Sequence, residues 1–250
     1  MRVLAYKTHK VEPNEDLLAL VDRYVPPLEE GDVVALTSKV VALCQGRVLP
    51  EGSAPDKAAL VREESEWFLE EDLSLPESIA ITIKEGILIA SAGIDTSNGH
   101  GNYILWPKNP HQAAAAVWEH LRARDGLERL GVLLTDSQTR PLRWGVVGVG
   151  IAWCGFSPLW DCRGAQDIWG RPLQFTKINV LDGLAASAVL SMGESAEQTP
   201  IAVLREAPYV RFSDTPPTDA EMRSLRISLQ EDLYTRILQA VPWKKGAASS

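Results

Sequence analysis

Three acids stand beside hydroxyl or amide side chains at the ends of apolar runs, and they are the groups best suited to chemistry. The run LLTDSQTRPLRWG carries Asp136 and Ser137 directly after an apolar stretch, followed by Arg140 and Arg143. A carboxylate, a hydroxyl and two guanidinium groups in one loop suit Mg²⁺ on oxygen ligands, with the arginines gripping phosphate or carboxylate oxygens. They equally suit an ordinary turn with a surface Asp–Arg pair. GIDTSNGHGN places Asp95, Thr96, Ser97 and Asn98 after a second apolar run ending at Ala92, and its glycines let the backbone approach a ligand. Asp95 reads as a second hard-metal ligand or as the acid of an Asx-turn. Glu194 in SMGESAEQTP sits at a helix end before a strand, as a third acid or as a polar surface turn.

Other routes to catalysis are missing from the sequence. It holds no GxxxxGK[ST], and the glycines of GVVGVGIAWCG have the wrong offsets for GxGxxG. No GxSxG elbow, HExxH or kinase set occurs. His9, His100, His111 and His120 lack a matching nucleophile or ligand spacing and read as surface or local hydrogen-bonding groups. With 33 Asp and Glu against 25 Lys and Arg, the net charge of −8 disfavours nucleic acid and anionic lipid as partners. The three cysteines, Cys44, Cys154 and Cys162, are odd in number without CxxC spacing, which speaks against a disulfide framework or zinc knuckle and for a reducing compartment. No run resembles a signal peptide or a membrane span, so the expected location is cytoplasmic.

Alternating elements must position these groups. EDLLALVDRYV predicts a helix to about Val25, stopped by Pro26-Pro27, and Asp32 to Thr37 a buried strand running into an undetermined element near Lys39. A helix from about Asp56 to Glu71 follows, then a hairpin in SIAITIKEGILIASAG turning at Glu85-Gly86. Asn109-Pro110 predicts the cap of a long helix through AAAAVWEHLRARDGLERL, and GVLLTD a strand running into polar residues. WGVVGVGIAWCGF, with glycines at 145, 148 and 150, reads as a closely approached strand. RPLQFTKINV reads as a strand, DGLAASAVLSMG as a helix and TPIAVLRE as a strand. Thr218 and Glu221 form a capping box that opens a last helix to Val241, with Leu225, Leu229, Leu233 and Ile237 on one face and a frayed KKGAASS tail after it.

Over residues 1 to 212 the chain resembles the coenzyme F420 gamma-glutamyl ligase family. Four blocks carry the likeness in collinear order: EGDVVALTSKVVALCQGRV, GIDTSNGHGNYILWP, TDSQTRPLRWGVVGVGIAWCGFSPLWDCRGAQDIWGRPL and VLDGLAASAVLSMGESAEQTPIAVLR. The third is the most specific, since Asp136-Ser137, Arg140-Pro141, Arg143, Gly145, DCRG and WGRPL fall at family spacing. The resemblance implies an α+β fold with mixed sheets in two intimate lobes, a catalytic unit over 1–212 and a C-terminal helix and tail over 213–250. It further implies GTP as co-substrate, Mg²⁺ or Mn²⁺ as cofactor with K⁺ as a further candidate, and an intertwined homodimer.

Carried over by position, Asp95, Asp136, Ser137 and Glu194 match metal-binding residues of the family. Ser38, Lys39 and Asn98 match nucleotide contacts, as do Met192, Gly193 and Ser195 within the run Met192 to Thr199; Thr8 to Val11 align more loosely. Arg140 and Arg143 are the candidates to orient the acceptor carboxylate or the incoming glutamate. The chain departs from the family at Leu43, where a lysine is common, at Gln45, where an acid is common, and at Thr139, where a glycine precedes Arg140-Pro141. Arg47 or Lys39 is then the candidate replacement for the missing cation. The expected activity is a GTP-dependent amide ligase joining L-glutamate to a small acidic acceptor through an acyl phosphate. The alternatives are a metal- and nucleotide-binding protein without ligase turnover, or an interaction protein docking through its last helix.

Overall fold

Val33, Val34, Ala35 and Leu36 are consecutive and apolar, and such a strand needs cover on both faces. The computed structural model, which describes residues 1–53, 56–70 and 79–249, gives it that cover. The first half contains β1 (Arg2–Tyr6), α1 (Leu17–Tyr24), β2 (Asp32–Thr37), α2 (Ser38–Cys44), β3 (Val48–Pro50) and α3 (Lys57–Glu64). It continues through β4 (Trp67–Phe68), β5 (Ile81–Lys84), β6 (Ile87–Ala90), β7 (Asn102–Ile104) and α4 (Pro110–Asp125). The second half contains β8 (Leu130–Thr139), β9 (Val146–Cys154), β10 (Leu159–Asp161), β11 (Lys177–Asn179), α5 (Val180–Met192) and β12 (Ile201–Arg205). The chain closes with α6 (Asp219–Leu225), α7 (Thr235–Leu238) and β13 (Lys244–Lys245).

Five strands form a mixed sheet in the order β1-β12-β2-β8-β9, and β2 and β8 are its parallel pair. Because side chains alternate across a strand, Val34 and Leu36 pack with Val21 of α1 and Val117, Trp118 and Leu121 of α4 on one face. Val33 and Ala35 pack with Leu181, Leu184, Ala185 and Ala188 of α5 on the other. A four-stranded antiparallel sheet, β13-β4-β5-β6, stands beside it, and β3–β7 and β10–β11 form two-stranded pairs. The architecture is α+β with mixed sheets, as expected.

The hairpin expectation holds: Glu85 and Gly86 join β5 to β6 with φ of 49° and 73°, the positive values that tight hairpin turns require. The glycines of β9 also act as read. A Cβ at Gly148 would lie 2.5 Å from the Ala185 carbonyl oxygen, and one at Gly150 2.2 Å from Leu181 Cγ, so α5 rests directly on the strand backbone.

Other expectations need correction. The helix expected from Asp56 ends at Glu64 and Trp67–Phe68 is already strand; its expected end at Glu71 lies outside the described residues. Asn109 does not cap α4 with its side chain, but takes a left-handed turn (φ 45°) that delivers Pro110 to the first helical position. That helix stops at Asp125 because Gly126 adopts φ 67° and bonds back to Arg122, so GLERL is not helical. β6 ends at Ala90, and Ser91–Gly93 is a short 3₁₀ turn. Of RPLQFTKINV, Lys177–Asn179 alone is strand.

The last helix is broken. Thr218 and Glu221 do form the capping box, yet α6 ends at Leu225. Ser228 then bonds the Glu231 side chain, and Asp232 accepts from the Tyr234 amide, local bonds that compete with continued helix. Leu233 and Ile237 consequently stand exposed rather than sharing a buried stripe. The tail expected to fray instead pairs Lys244–Lys245 with Trp67–Phe68.

One half-buried histidine should make the fold acid-sensitive. His111, at the start of α4, lies edge-on to Trp153 at 4.9 Å, and its Nε2 is buried without a hydrogen-bond partner. Burial, aided by the Arg226 charge, pushes its pKa down to about 4. Between the ordinary value of 6.5 and about 4 the unfolded chain binds a proton that the folded chain does not, so stability falls as pH drops through that window. Thermal melts at pH 7 and pH 5 should show a smaller loss for His111→Gln than for the parent protein; equal losses would contradict this.

Candidate functional site

β2 and β8 run parallel, so their C-terminal ends open on the same side, where ligands sit in open α/β sheets. At the end of β2, Thr37 accepts from Val40 N–H and caps α2, which places Ser38 and Lys39 at the opening. The β8 strand does not end at Asp136, the last residue of the expected strand GVLLTD. It continues through Thr139, paired with β9, after an irregularity in register between Leu134 and Thr135. Asp136 and Ser137 are therefore held on a strand rather than in a loop. Around these ends a cavity of about 1140 Å³ is completed by residues 93–102, by Met192 to Pro200 and by Thr8 to Pro13.

Every candidate metal and nucleotide residue lines this cavity: Ser38, Lys39, Asp95, Asn98, Asp136, Ser137, Met192, Gly193, Glu194 and Ser195. Asp95 Oδ2 lies 2.7 Å from Lys39 Nζ, and its other oxygen accepts from Ser97 N–H at 2.7 Å. Burial works to raise the Asp95 carboxyl, but the Lys39 ammonium and the two Ser97 bonds outweigh it and hold the carboxyl below the usual range. Asp136 has no such partner. Burial pushes it up to about 7, and the neighbouring Asp95 charge adds to the rise, against the Ser137 N–H bond at 2.8 Å, the more distant Lys39 charge and the Ser38 side chain. Ser137 Oγ donates to Glu194 Oε1 at 2.5 Å, so the third acid joins through the serine. Asn98 Nδ2 donates to the Ser195 carbonyl at 2.9 Å and ties the 93–102 loop to the α5–β12 loop.

Gly93 makes this approach feasible. It has φ 71°, and a Cβ there would stand 2.3 Å from the Trp106 ring and 3.5 Å from Asp136 Oδ2. Among the described residues no three His, Cys, Asp or Glu side chains converge closely enough to hold a metal ion by themselves. The available donors are the Asp95–Asp136 pair and the Ser137–Glu194 pair, all hard oxygens. A half-buried carboxylate without a cation, next to a second carboxylate, is a donor set that fits Mg²⁺ or Mn²⁺.

Arg140 and Arg143 are not brought to the cavity; both are exposed in the β8–β9 turn. Arg47 also does not line it. Its guanidinium is bonded to Glu64 at 2.5 Å and to the Trp106 carbonyl at 3.1 Å, whereas Leu43 does line the cavity. Glu12 and Glu197 belong to the lining and were not singled out from the sequence. Glu197 accepts from Ser195 N–H at 2.8 Å, a local bond common to many polar turns and therefore no signal in sequence.

Residues 6–206 match the family model described as F420-0:Gamma-glutamyl ligase. The chain belongs to that family. A coenzyme F420:L-glutamate ligase of Methanopyrus kandleri is 33% identical over 213 residues, covering 78% of this chain and 82% of the relative. One from Methanococcus maripaludis strain C6 is 31% identical over 227 residues, covering 83% and 89%. One from Methanocaldococcus jannaschii is 28% identical over 236 residues, covering 88% and 90%. The lining of the cavity, from Thr8 to Pro200, falls wholly inside the segment matched to the gamma-glutamyl ligase family. Among the described residues, none C-terminal to Pro200 lines it. No helix among the described residues is long and apolar enough to cross a membrane.

Proposed function

We propose that the protein is a GTP-dependent ligase that joins L-glutamate through an amide to the carboxylate of a small acidic acceptor of the F420-0 kind. The observation that carries this reading is the convergence of Asp95, Asp136, Ser137 and Glu194 in one cavity of a chain of this family. Its relatives' name, coenzyme F420:L-glutamate ligase, supplies the substrate class.

A carboxylate does not exchange its oxygen for an amine directly, so the acceptor is first activated. Its oxygen takes the terminal phosphoryl group of GTP and GDP leaves; the glutamate amine then attacks the acyl carbon, and phosphate leaves with the former carboxylate oxygen. Glu12, Asp95, Asp136, Glu194 and Glu197 outnumber Lys10 and Lys39 along the lining, so a polyphosphate enters only with divalent counter-ions. Asp95, Asp136, Ser137 and Glu194 would hold those ions, which neutralise charge on the transferring phosphoryl group. Lys39 holds Asp95 ionised, Asn98 fixes the loop that carries it, and the Ser137 hydroxyl keeps Glu194 facing Asp136's strand. Arg140 and Arg143, exposed in their turn, are left to meet the acceptor or glutamate from outside the lining.

The test is phosphate release and product mass with GTP, Mn²⁺, glutamate and F420-0 supplied singly and together. Release that requires both acceptor and glutamate supports the ligase; release that ignores them sinks it. A second reading has its own observation: Leu43 is apolar in the lining and Arg47 is held by Glu64, so neither supplies a phosphate-binding cation. GTP binding by calorimetry without product from any glutamate acceptor would favour a nucleotide-binding protein of the same fold. The proposal includes a homodimer, because Leu142, Trp144, Ile168, Trp169 and Phe175 are each more than four-fifths exposed, and apolar groups in such number mark association surfaces. Light scattering at the monomer mass would remove that part.

A further inference from the structure

One wall of the cavity, residues 8–13, is fastened by a side-chain chain that the mechanism above does not use. His9 Nε2 lies 2.8 Å from Glu15 Oε2, and His9 Nδ1 lies 2.8 Å from Tyr24 Oη. A carboxylate accepts only, so in the neutral ring Nε2 carries the proton and Nδ1 accepts from the Tyr24 hydroxyl. Tyr24 Oη in turn accepts from the His9 backbone N–H at 3.0 Å. The other Glu15 oxygen accepts from Glu12 N–H, which closes the segment on itself. Arg23 sits over the Tyr24 ring at 5.3 Å, steadying the phenol at the end of α1.

Both imidazole nitrogens are thus spent, and His9 has no capacity left for proton transfer to a substrate. What the chain of bonds accomplishes is placement. Thr8 N–H is bonded to the Gln198 carbonyl at 2.9 Å and Asn14 N–H to the Leu43 carbonyl at 2.9 Å, which anchors the segment at each end. Between those anchors, Lys10 lines the cavity and has no carboxylate within ion-pair distance among the described residues. The backbone N–H groups of Lys10 and Val11 make no hydrogen bond to another described residue. An ammonium and two unspent amides in a cavity wall are donors suited to anionic oxygens.

We infer that His9 is a positioning residue: with Tyr24 and Glu15 it clamps the 8–13 segment to α1 so that Lys10 and the Lys10 and Val11 amides meet an anionic oxygen group of a bound substrate. This rests on the functional reading above, and the group is a phosphate of the nucleotide or a carboxylate of glutamate. Losing one such bond costs about 1 kcal/mol, so a clamp variant should weaken the affected substrate roughly 5- to 10-fold.

The test uses the full-length protein with Tyr24→Phe, His9→Ala and His9→Gln. Backbone hydrogen exchange over residues 8–13 should speed up in the first two variants and recover partly in His9→Gln, whose amide keeps one donor and one acceptor. Calorimetry with GTP and Mn²⁺ and a glutamate KM series should show one of the two weakened and the other unchanged, with the thermal midpoint held. The pair His9→Ala with Tyr24→Phe should cost less than the sum of the two single effects, because both break the same clamp and Tyr24→Phe adds only the loss of the His9 backbone N–H bond. Unchanged exchange overturns the inference, as does faster exchange with both affinities intact or both lost equally. A parent protein that binds no nucleotide would instead remove the functional reading, and exchange over 8–13 with the glutamate series would still decide the clamp.

Discussion

Asp136→Asn should lower metal-dependent phosphate release and product formation on the order of 100-fold, the scale on which losing part of a metal's ligand environment acts. No cation among the described residues is ion-paired to the carboxylate: Lys39 is committed to Asp95, and Ser137 offers one backbone bond. Burial already pushes Asp136 up to about 7, so the charged form costs free energy to keep there. An amide of the same shape removes that cost along with the ligand, and the thermal midpoint should therefore hold or rise. Activity lost with stability kept is the signature of a residue placed for chemistry. Release at the parental rate would remove Asp136 from the site, and a collapsed midpoint would assign it to folding instead.

Gly148→Ala should destabilise the protein strongly, at the interface between α5 and β9. The added carbon would stand 2.5 Å from the Ala185 carbonyl oxygen and 2.6 Å from Val189 Cγ2, and the first of these is helix backbone that cannot rotate aside. Moving α5 away from β9 disturbs Leu181, Leu184, Ala185 and Ala188, which cover one face of the sheet. A cost of about 3 kcal/mol follows from such overpacking, or roughly 6–12 °C in a protein of this size. Because α5 leads into Gly193 and Glu194, metal-dependent nucleotide binding should weaken as well. A melting curve within a degree of the parent would show that the helix is not seated as described.

Much of this was readable one segment at a time. A continuous apolar run marked β2, β-branched runs on either side of Glu85-Gly86 marked the β5–β6 hairpin, the Thr218–Glu221 pair marked the start of α6, and spaced glycines marked β9 as closely approached. These are signals carried within a few residues, and they survive because no distant contact opposes them. The acids were legible as residue types beside hydroxyls, and the collinear blocks identified the family. Where local signals met tertiary competition they failed: β8 gains β9 as a partner and runs past Asp136, and the C-terminal stripe gives way to side-chain bonds at Ser228 and Asp232.

What the residues determined alone is the chemistry on offer: hard oxygen donors, few cations, no nucleophile with a base. Which of them meet was decided by the sheet. β2 and β8 pair in parallel although Leu36 and Thr135 are 99 positions apart, and that pairing aims Ser38 and Asp136 into one opening. The same tertiary choice turned Arg140 and Arg143 outward and tied Arg47 to Glu64. Spacing along a chain sets local turns, but convergence is set by which distant apolar faces bury each other, and that term is global.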